Sequence, residues 1–590
     1  MLKPANDRLN YGHLLTPPPD YHTDFALGAS YSLDLEALVG VPMALFLSEE
    51  MNKSLTNNPI VALEGLRRSA DQFAILCEAG QISVPQNQNT VFSLLENSVF
   101  EVVVPNEGSF HPKTWLIRYQ NKEQQPLYRI IVLSRNLTFD RSWDLAVCLE
   151  GFLKEEKTHK NKPLQDFVEY LRRRVQNRKK RNQISRMIAE LDQIYFEPAN
   201  KHITDYSFCP LGIPGYQHPP AELFDKYKDL LIISPFISKK TMERFDGQSL
   251  TNPSKTLITR RIEISKLKPE MLESFQVYAM KETVVEGEEG LSGDEQEEGV
   301  QQNQDIHAKF YARSKHNQHT FYIGSANCTE RGFNGSVEFL LQLHYQKWGF
   351  RISNILDDLF GKDDRENPFE RIETIPEIDI TDTSLTDRLE KGIKQLCRTN
   401  SKATVSQERL QYQVKIEFTK VPQDIEFTIS PLAGMQQEKL DSITILKNLQ
   451  LEQLSEFYHV TAAIEDTSLQ RIIKILTTGI PEGRDKAVFK TIIRDQKTFM
   501  KYIAFLLSDS LLITSLEQLD AERLDSGKWD IKSTQTPVFY ENMLKTAARE
   551  PERLQEIERV VQLIDDPEVI PEGFIELYNT FIQAAKKVKR

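Results

Sequence analysis

Two short stretches of the chain carry side chains able to act together on a phosphate. In FHPKTWLIRY, His111 and Lys113 sit two positions apart, and in DIHAKFYA so do His307 and Lys309. Ile306, Ala308 and Phe310 are apolar, which is the alternation of a strand with one buried face, so His307 and Lys309 are expected to share the other face. Each pair precedes a strand-like run ending in Ser-x-Asn: YRIIVLSRN supplies Ser134 and Asn136, and TFYIGSAN supplies Ser325 and Asn327. If the two runs pair as strands, an imidazole, an ammonium, a hydroxyl and an amide converge on one patch. An ammonium and neutral donors suit the oxygens of a phosphate, and an imidazole nitrogen can attack phosphorus or carry a proton.

The constellation is repeated at long range. His111 to His307 and Lys113 to Lys309 are both 196 positions, and Asn136 to Asn327 is 191, the difference falling in the loop between the paired strands. The interval is too long for a solenoid repeat and suits two similar half-domains facing each other. Two histidines then suffice to cleave a phosphodiester without a metal or other cofactor. One attacks as neutral imidazole while the other, protonated, donates to the departing oxygen. Lys113, Lys309, Asn136 and Asn327 would hold the non-bridging oxygens, with Ser134 and Ser325 adding hydrogen bonds. Both imidazoles start from a pKa of ~6.5 yet must hold opposite protonation states, so carboxylates on the second ring nitrogens are expected.

The doubled pattern resembles the phospholipase D superfamily, whose mark is two copies of H-x-K followed by a G/S-S-x-N stretch. The second copy, HAK then GSANCTERGFNGSVEF, is a close match, and the first, HPK then LSRNLTFDRSWDL, a looser one; together they span roughly residues 30 to 350. The usual motif carries an Asp five residues beyond the Lys, where this chain has Arg118 and Ser314. In lacking that Asp it is similar to the tyrosyl-DNA phosphodiesterase branch and to bacterial members found beside helicases in phage-defence islands. The resemblance implies an α/β fold of two pseudo-symmetric phospholipase D-like half-domains with central mixed sheets. It implies phosphodiester hydrolysis through a phosphohistidine, with His111 as nucleophile and His307 as general acid, although the residues by themselves leave the roles interchangeable. It places Glu338, 11 residues after Asn327, on a histidine, and Asp144, 8 after Asn136, is the candidate for the same role in the first copy. A helicase or other defence-system protein is the implied partner.

The rest of the chain bounds these expectations. At 590 residues, 40% hydrophobic and 27% charged, it is of ordinary globular composition and long enough for three or four domains. Alternating strand and helix signals mark residues 1–160 as the first half and 222–360 as the second. Residues 161–221 read as a basic connecting helix and linker, 361–460 as a linker with a small β-rich region, and 461–590 as a helical C-terminal domain. The net charge of −12 is wrong for a bulk nucleic-acid coat, so a polyanion would need a locally basic groove. Leu164 to Ile194 has helical spacing, and its RRRVQNRKKRNQISR run contains Arg172, Arg173, Arg174, Arg178, Lys179, Lys180 and Arg181. That run is either a solvated helix face or a wall tracking nucleic-acid phosphates beside the active groove. Within an insertion at 283–304, Glu286 to Glu298 holds seven acids and no base, which suits a surface insertion or a polyanionic flap.

The apolar run from Ala37 to Leu47 is 11 residues with a Pro inside, too short to cross a bilayer, and MLKPANDRLNYGHLL lacks the form of a secretory signal. Five scattered cysteines form no C-x-x-C pair, so a reduced cytoplasm is expected and neither a zinc site nor a disulfide frame. Three functions compete: a metal-independent nuclease or DNA phosphodiesterase, a lipid phosphodiesterase, and a module that grips nucleic acid without cutting it. The arginine-rich helix and the missing Asp favour the first, and the intact His and Lys pairs argue against the third. No amphipathic anchor or membrane helix speaks for the second.

Overall fold

Two strand-rich halves repeat the same order of strands. The computed structural model describes residues 11–47, 59–86, 89–138, 142–281, 305–362, 367–375, 383–434, 436–507 and 551–588, with positions 543 and 546. The acidic segment expected as an insertion lies outside these residues. The first half contains β1 (Tyr21–Ser30), β2 (Leu33–Asp34), β3 (Phe73–Glu78), β4 (Ile82–Ser83), β5 (Val99–Val102), β6 (Thr114–Asn121), β7 (Pro126–Leu133), β8 (Ala146–Leu153) and β9 (Ile194–Pro198). The second contains β10 (Ile203–Leu211), β11 (Tyr227–Ile233), β12 (Ser249–Ile258), β13 (Gln276–Met280), β14 (Phe310–Lys315), β15 (Gln318–Gly324), β16 (Glu338–Tyr345) and β17 (Phe369–Ile372).

The first sheet runs β5-β3-β1-β6-β7-β8-β9, and the second, read in the same sense, runs β17-β13-β12-β11-β14-β15-β16-β10. They match strand for strand, with β17 an added edge. In each, three strands are parallel (β1, β3, β5 and β11, β12, β13) and the others antiparallel.

Period-two alternation explains how the sheets stack. Phe25, Leu27 and Ala29 of β1 and Tyr128, Ile130 and Val132 of β7 share one core with Leu231, Ile233, Phe339, Leu341 and Leu343 of the second half. The intervening residues Trp115, Ile117 and Tyr119 of β6 enter an outer core on the far side of the first sheet, and Leu230, Ile232 and Leu340 one on the far side of the second. One shared core therefore lies between two sheets that are each buried on both faces.

The connecting region differs from its expectation. The helical spacing over 164–194 resolves into two helices, Lys162–Arg172 and Arg178–Glu190, and the Asn177 side chain caps the second by accepting from Lys180 N at 3.2 Å. Leu164, Phe167, Val168, Leu171, Ile184 and Met187 are buried in the inter-sheet core, so these helices brace both halves. The stretch expected as linker also supplies an edge strand to each sheet, β9 and β10. One further correction concerns element type. The region expected to be helical from 461 begins instead in strands, Phe457–Ile464 and Thr467–Lys474, paired as a hairpin. Regular helix resumes at Arg484–Ile492.

That hairpin fastens the C-terminal region to the first half. Ile472 pairs with Ile82 of β4, which places β2 and β4 in the same six-stranded sheet as the C-terminal strands. A buried ion pair, Arg484 with Glu96, ties the two regions at a second point.

Arg118, at the place where the superfamily motif carries Asp, is 1% exposed and pairs with Asp24 and Glu190, each at 2.8 Å. Ser314, at the matching place in the second half, donates to Asp229 at 2.7 Å. Carboxylates on neighbouring elements occupy both corners. Arg118→Met leaves Asp24 and Glu190 with Arg186 as their shared cation and is expected to destabilise the fold by about 2 kcal/mol. Urea unfolding measures this as a lowered midpoint at unchanged m-value.

Candidate active site

The two H-x-K segments are not regular strand, as the alternation suggested. They are the extended lead-ins to β6 and β14, and each pairs its backbone with the opposite half. Phe110 bridges Val337, and Trp143 bridges Ile306. His111 N donates to Val337 O at 2.9 Å and Val337 N to Ser109 O at 2.8 Å; His307 N donates to Trp143 O at 3.0 Å and Trp143 N to Asp305 O at 3.1 Å. Each bridge sets a histidine beside the acid that follows its partner residue. His111 Nδ1 lies 2.9 and 3.0 Å from the two carboxylate oxygens of Glu338, and His307 Nδ1 lies 3.2 Å from Asp144 Oδ1. The acids are crossed: each half orients the histidine of the other.

Both lysines are buried at the same centre. Lys113 Nζ donates to His111 Nε2 at 3.0 Å, and Lys309 Nζ to His307 O at 2.5 Å and Ser134 O at 3.4 Å. The Oδ1 atoms of Asn136 and Asn327 are buried without a hydrogen-bond partner. A polar group left incomplete at the same point of both halves suits one that completes its bonding with a ligand.

The serines correct the expectation that they face the phosphate. Ser134 Oγ donates to Asp144 Oδ1 at 2.8 Å and accepts from Leu145 N at 2.8 Å. Ser325 Oγ accepts from Phe339 N at 3.0 Å and donates to Phe339 O at 3.4 Å, Phe339 being the residue after Glu338. Both hydroxyls are fully buried and fix the acid-bearing segments instead.

The electrostatics follow from burial beside two lysines. Burial, then Lys113, Lys309 and Lys394, holds His111 well below the usual histidine range. Burial and Lys309 also depress His307, against the opposing pull of Asp144. Burial alone would raise Asp144, but hydrogen bonds from His307 and Ser142 and the charge of Lys309 keep it below its usual value. Glu338 is pushed up to about 8 by burial, in spite of Lys113, Ser325 and Lys309. Burial and the neighbouring Lys113 depress Lys309. Two buried lysines thus stand at the site with Asp144 as the carboxylate held in its ionised form, an excess of cationic groups that an entering phosphodiester relieves.

Lys180 of the arginine-rich run does not stand beside this site. Lys180 is fully buried and donates to Phe73 O and Ser98 Oγ, each at 2.8 Å. Phe73 opens β3, whereas the site lies past Glu78 at its other end, about 16 Å away at the rise of a strand. Arg172 and Arg173 pair with Glu169, Arg174 lies over the Tyr170 ring, and Lys179 pairs with Asp71. Arg173, Arg178, Lys179 and Arg181 are exposed and form a solvated face of the bracing helices.

Residues without a sequence signal stand close by instead. The Tyr31 ring meets His111 edge-on at 4.8 Å between centroids. Glu78 accepts from Phe110 N at 2.6 Å. Arg260 donates to Ile306 O at 3.1 Å, and its guanidinium lies 4.9 Å from the ring of Phe236, which is 38% exposed. Among the described residues no cluster of three or more His, Cys, Asp or Glu could hold a metal ion, and no helix is long and apolar enough to cross a membrane.

No protein-family profile matches the chain, and no curated protein does. Among solved structures it is similar to the yeast tyrosyl-DNA phosphodiesterase, with a TM-score of 0.35 and 11% identity over 57% of this chain and 85% of that one. It is also similar to a polyphosphate kinase from Porphyromonas gingivalis, with a TM-score of 0.32 and 13% identity over 59% of this chain and 43% of that one.

Proposed function

We propose that the protein is a phosphodiesterase that cleaves nucleic acid, DNA foremost, through a covalent phosphohistidine and without a metal ion. The observation that carries this reading is the crossed pair of His–carboxylate couples around two buried lysines. Neutral His111, with Nδ1–H held by Glu338, presents Nε2 to phosphorus once the substrate draws Lys113 onto its own oxygens. Attack forms a P–N bond and breaks the bond from phosphorus to the leaving oxygen. That oxygen takes the proton from Nε2 of His307, whose positive form is supported by the ionised Asp144. Neutral His307 then removes a proton from water, which attacks phosphorus, breaks the P–N bond and releases a phosphomonoester. Lys113 and Lys309, with the amides of Asn136 and Asn327, stabilise the charge of the five-coordinate states.

The exposed Phe236 beside Arg260, joined to the backbone next to His307, favours a substrate with bases and further phosphates. The missing motif Asp agrees with the branch that acts on DNA. Work in genome defence beside a helicase rests on the motif resemblance alone.

The test is cleavage of labelled single- and double-stranded DNA and RNA in excess EDTA. Cutting that persists in EDTA and disappears in His111→Ala and His307→Ala is the expected result. Binding without cutting of any strand would overturn the nuclease reading.

A further inference from the structure

We propose that Lys394, on the C-terminal helix Thr383–Arg398, is a positioning residue for His111, so that one of the two half-sites is completed by a segment outside the repeated halves. This rests on the assignment of His111 as nucleophile.

A single amine joins two separate supports of that histidine. Lys394 Nζ donates to Tyr31 OH at 3.1 Å and lies 5.0 Å from the centre of the same ring. Tyr31 in turn meets the His111 imidazole edge-on, with 60° between the planes. Lys394 Nζ also pairs with Glu78 at 3.5 Å, and Glu78 accepts the backbone N–H of Phe110, the residue before His111. The ring and the main chain of His111 are thus both held by groups that share Lys394.

The helix cannot slide or turn easily in this place. Gly80 has φ +75°, and a Cβ there would come within 2.8 Å of Ile393 Cγ2, so the helix packs onto bare backbone next to Glu78. Arg398 Nη2 donates to Gly108 O at 3.3 Å, two residues before Phe110, and Arg471 pairs with Glu390 at 3.5 Å. Lys394 is therefore presented by a helix fixed at three points along its length.

Among the described residues the second half lacks this arrangement, and the pseudo-symmetry makes the comparison residue by residue. Leu137 N donates to Ser30 Oγ at 3.0 Å and Cys328 N to Ser234 Oγ at 2.9 Å, which makes Ser30 and Ser234 equivalent. The next residue is Tyr31 in the first half and Pro235 in the second. His307 has no aromatic from that position, and Arg260 reaches its backbone through the carbonyl of Ile306. Two histidines built on one plan are supported differently, which two different chemical tasks require. Asymmetry of this kind lets a repeated site separate an attacking imidazole from a proton-donating one.

The competing explanation is that Lys394 only neutralises buried Glu78. The charged and titratable groups around His111 are Lys113, Lys309, Glu338 and Lys394, with Tyr31 and Glu78 behind it, so removal of Lys394 takes away one of three cations. A positioning role requires that Lys394→Met lower kcat by 10- to 100-fold with KM changed less than about 3-fold, and that Lys394→Arg restore most of kcat.

A readout free of turnover separates failure of this proposal from failure of the enzyme assignment. In protein carrying 13C-labelled histidine, Lys394→Met should shift the His111 ring resonance and move its titration to higher pH, while the His307 signal stays in place. Tyr31→Phe, which keeps the ring and loses the bond to Lys394, should shift the same resonance, and it serves if Lys394→Met does not fold. A folded variant with unchanged His111 resonance and titration overturns the proposal whatever the substrate proves to be. A shifted resonance in a protein that cleaves nothing upholds the contact and overturns the enzyme reading instead.

Discussion

His111→Ala should abolish cleavage, with a loss of at least ~10³-fold, because it removes the atom that bonds to phosphorus and not only a proton carrier. The expected outcome for His307→Ala is different in kind. With a natural leaving oxygen the loss should also be large, ~10² to 10⁴, the usual worth of a placed general acid. With a leaving group that departs unprotonated, such as a nitrophenolate ester, the first step should survive. The second step should then stall, since the same imidazole activates the water. The His307→Ala protein should therefore accumulate a phosphoryl adduct on His111, stable in base and labile in acid, which peptide mass spectrometry locates. An adduct on His307 in the His111→Ala protein would reverse the roles. Their assignment follows the motif resemblance: burial and the lysines depress both histidines, and only at His307 does an ionised carboxylate, Asp144, oppose this.

Asp144→Asn should impair the general acid of the opposite half. Asp144 raises the pKa of His307 by its hydrogen bond and its charge, so the substitution lowers that pKa. A general acid must be protonated, hence the rate falls as pH rises through its pKa. The basic limb of the pH–rate profile should move to lower pH, and kcat at neutral pH should drop by ~10²-fold. The pH dependence of kcat in both proteins checks this. A basic limb that stays in place would mean that the Asp144–His307 couple does not carry the proton. Glu338→Gln should leave that limb where it is, since Glu338 lies against His111.

The centre of the site was readable because its elements are local. H-x-K and S-x-N each place two side chains on one patch over three residues, and duplication at a common interval removes the ambiguity of either copy alone. The crossing was not readable, since which acid meets which histidine depends on backbone bridges between segments more than 160 positions apart in sequence. Ser134 and Ser325 share the face of the motif, yet they serve the acids, a choice made by main-chain N–H groups that carry no sequence signature. A run of cations looks alike whether it faces water or, as at Lys180, caps a strand from within. Residues 461 to 474 read as helix although they are strand, because short alternating and helical patterns overlap in segments of eight residues. Lys394 belongs to no motif at all. It is brought to the site by a helix whose own sequence records only that one face is apolar.

The crossed acids also bear on descent. A protein made of one such half would hold a histidine and a carboxylate that cannot reach each other, and would be inert as a single copy. It would become competent only as a twofold homodimer, each subunit lending its acid in trans. Joining two copies in tandem preserves that exchange and removes the need to find a mate at low concentration. It also releases the copies from identity, so that one acid can be Glu338 and the other Asp144, and one corner can recruit a new helix.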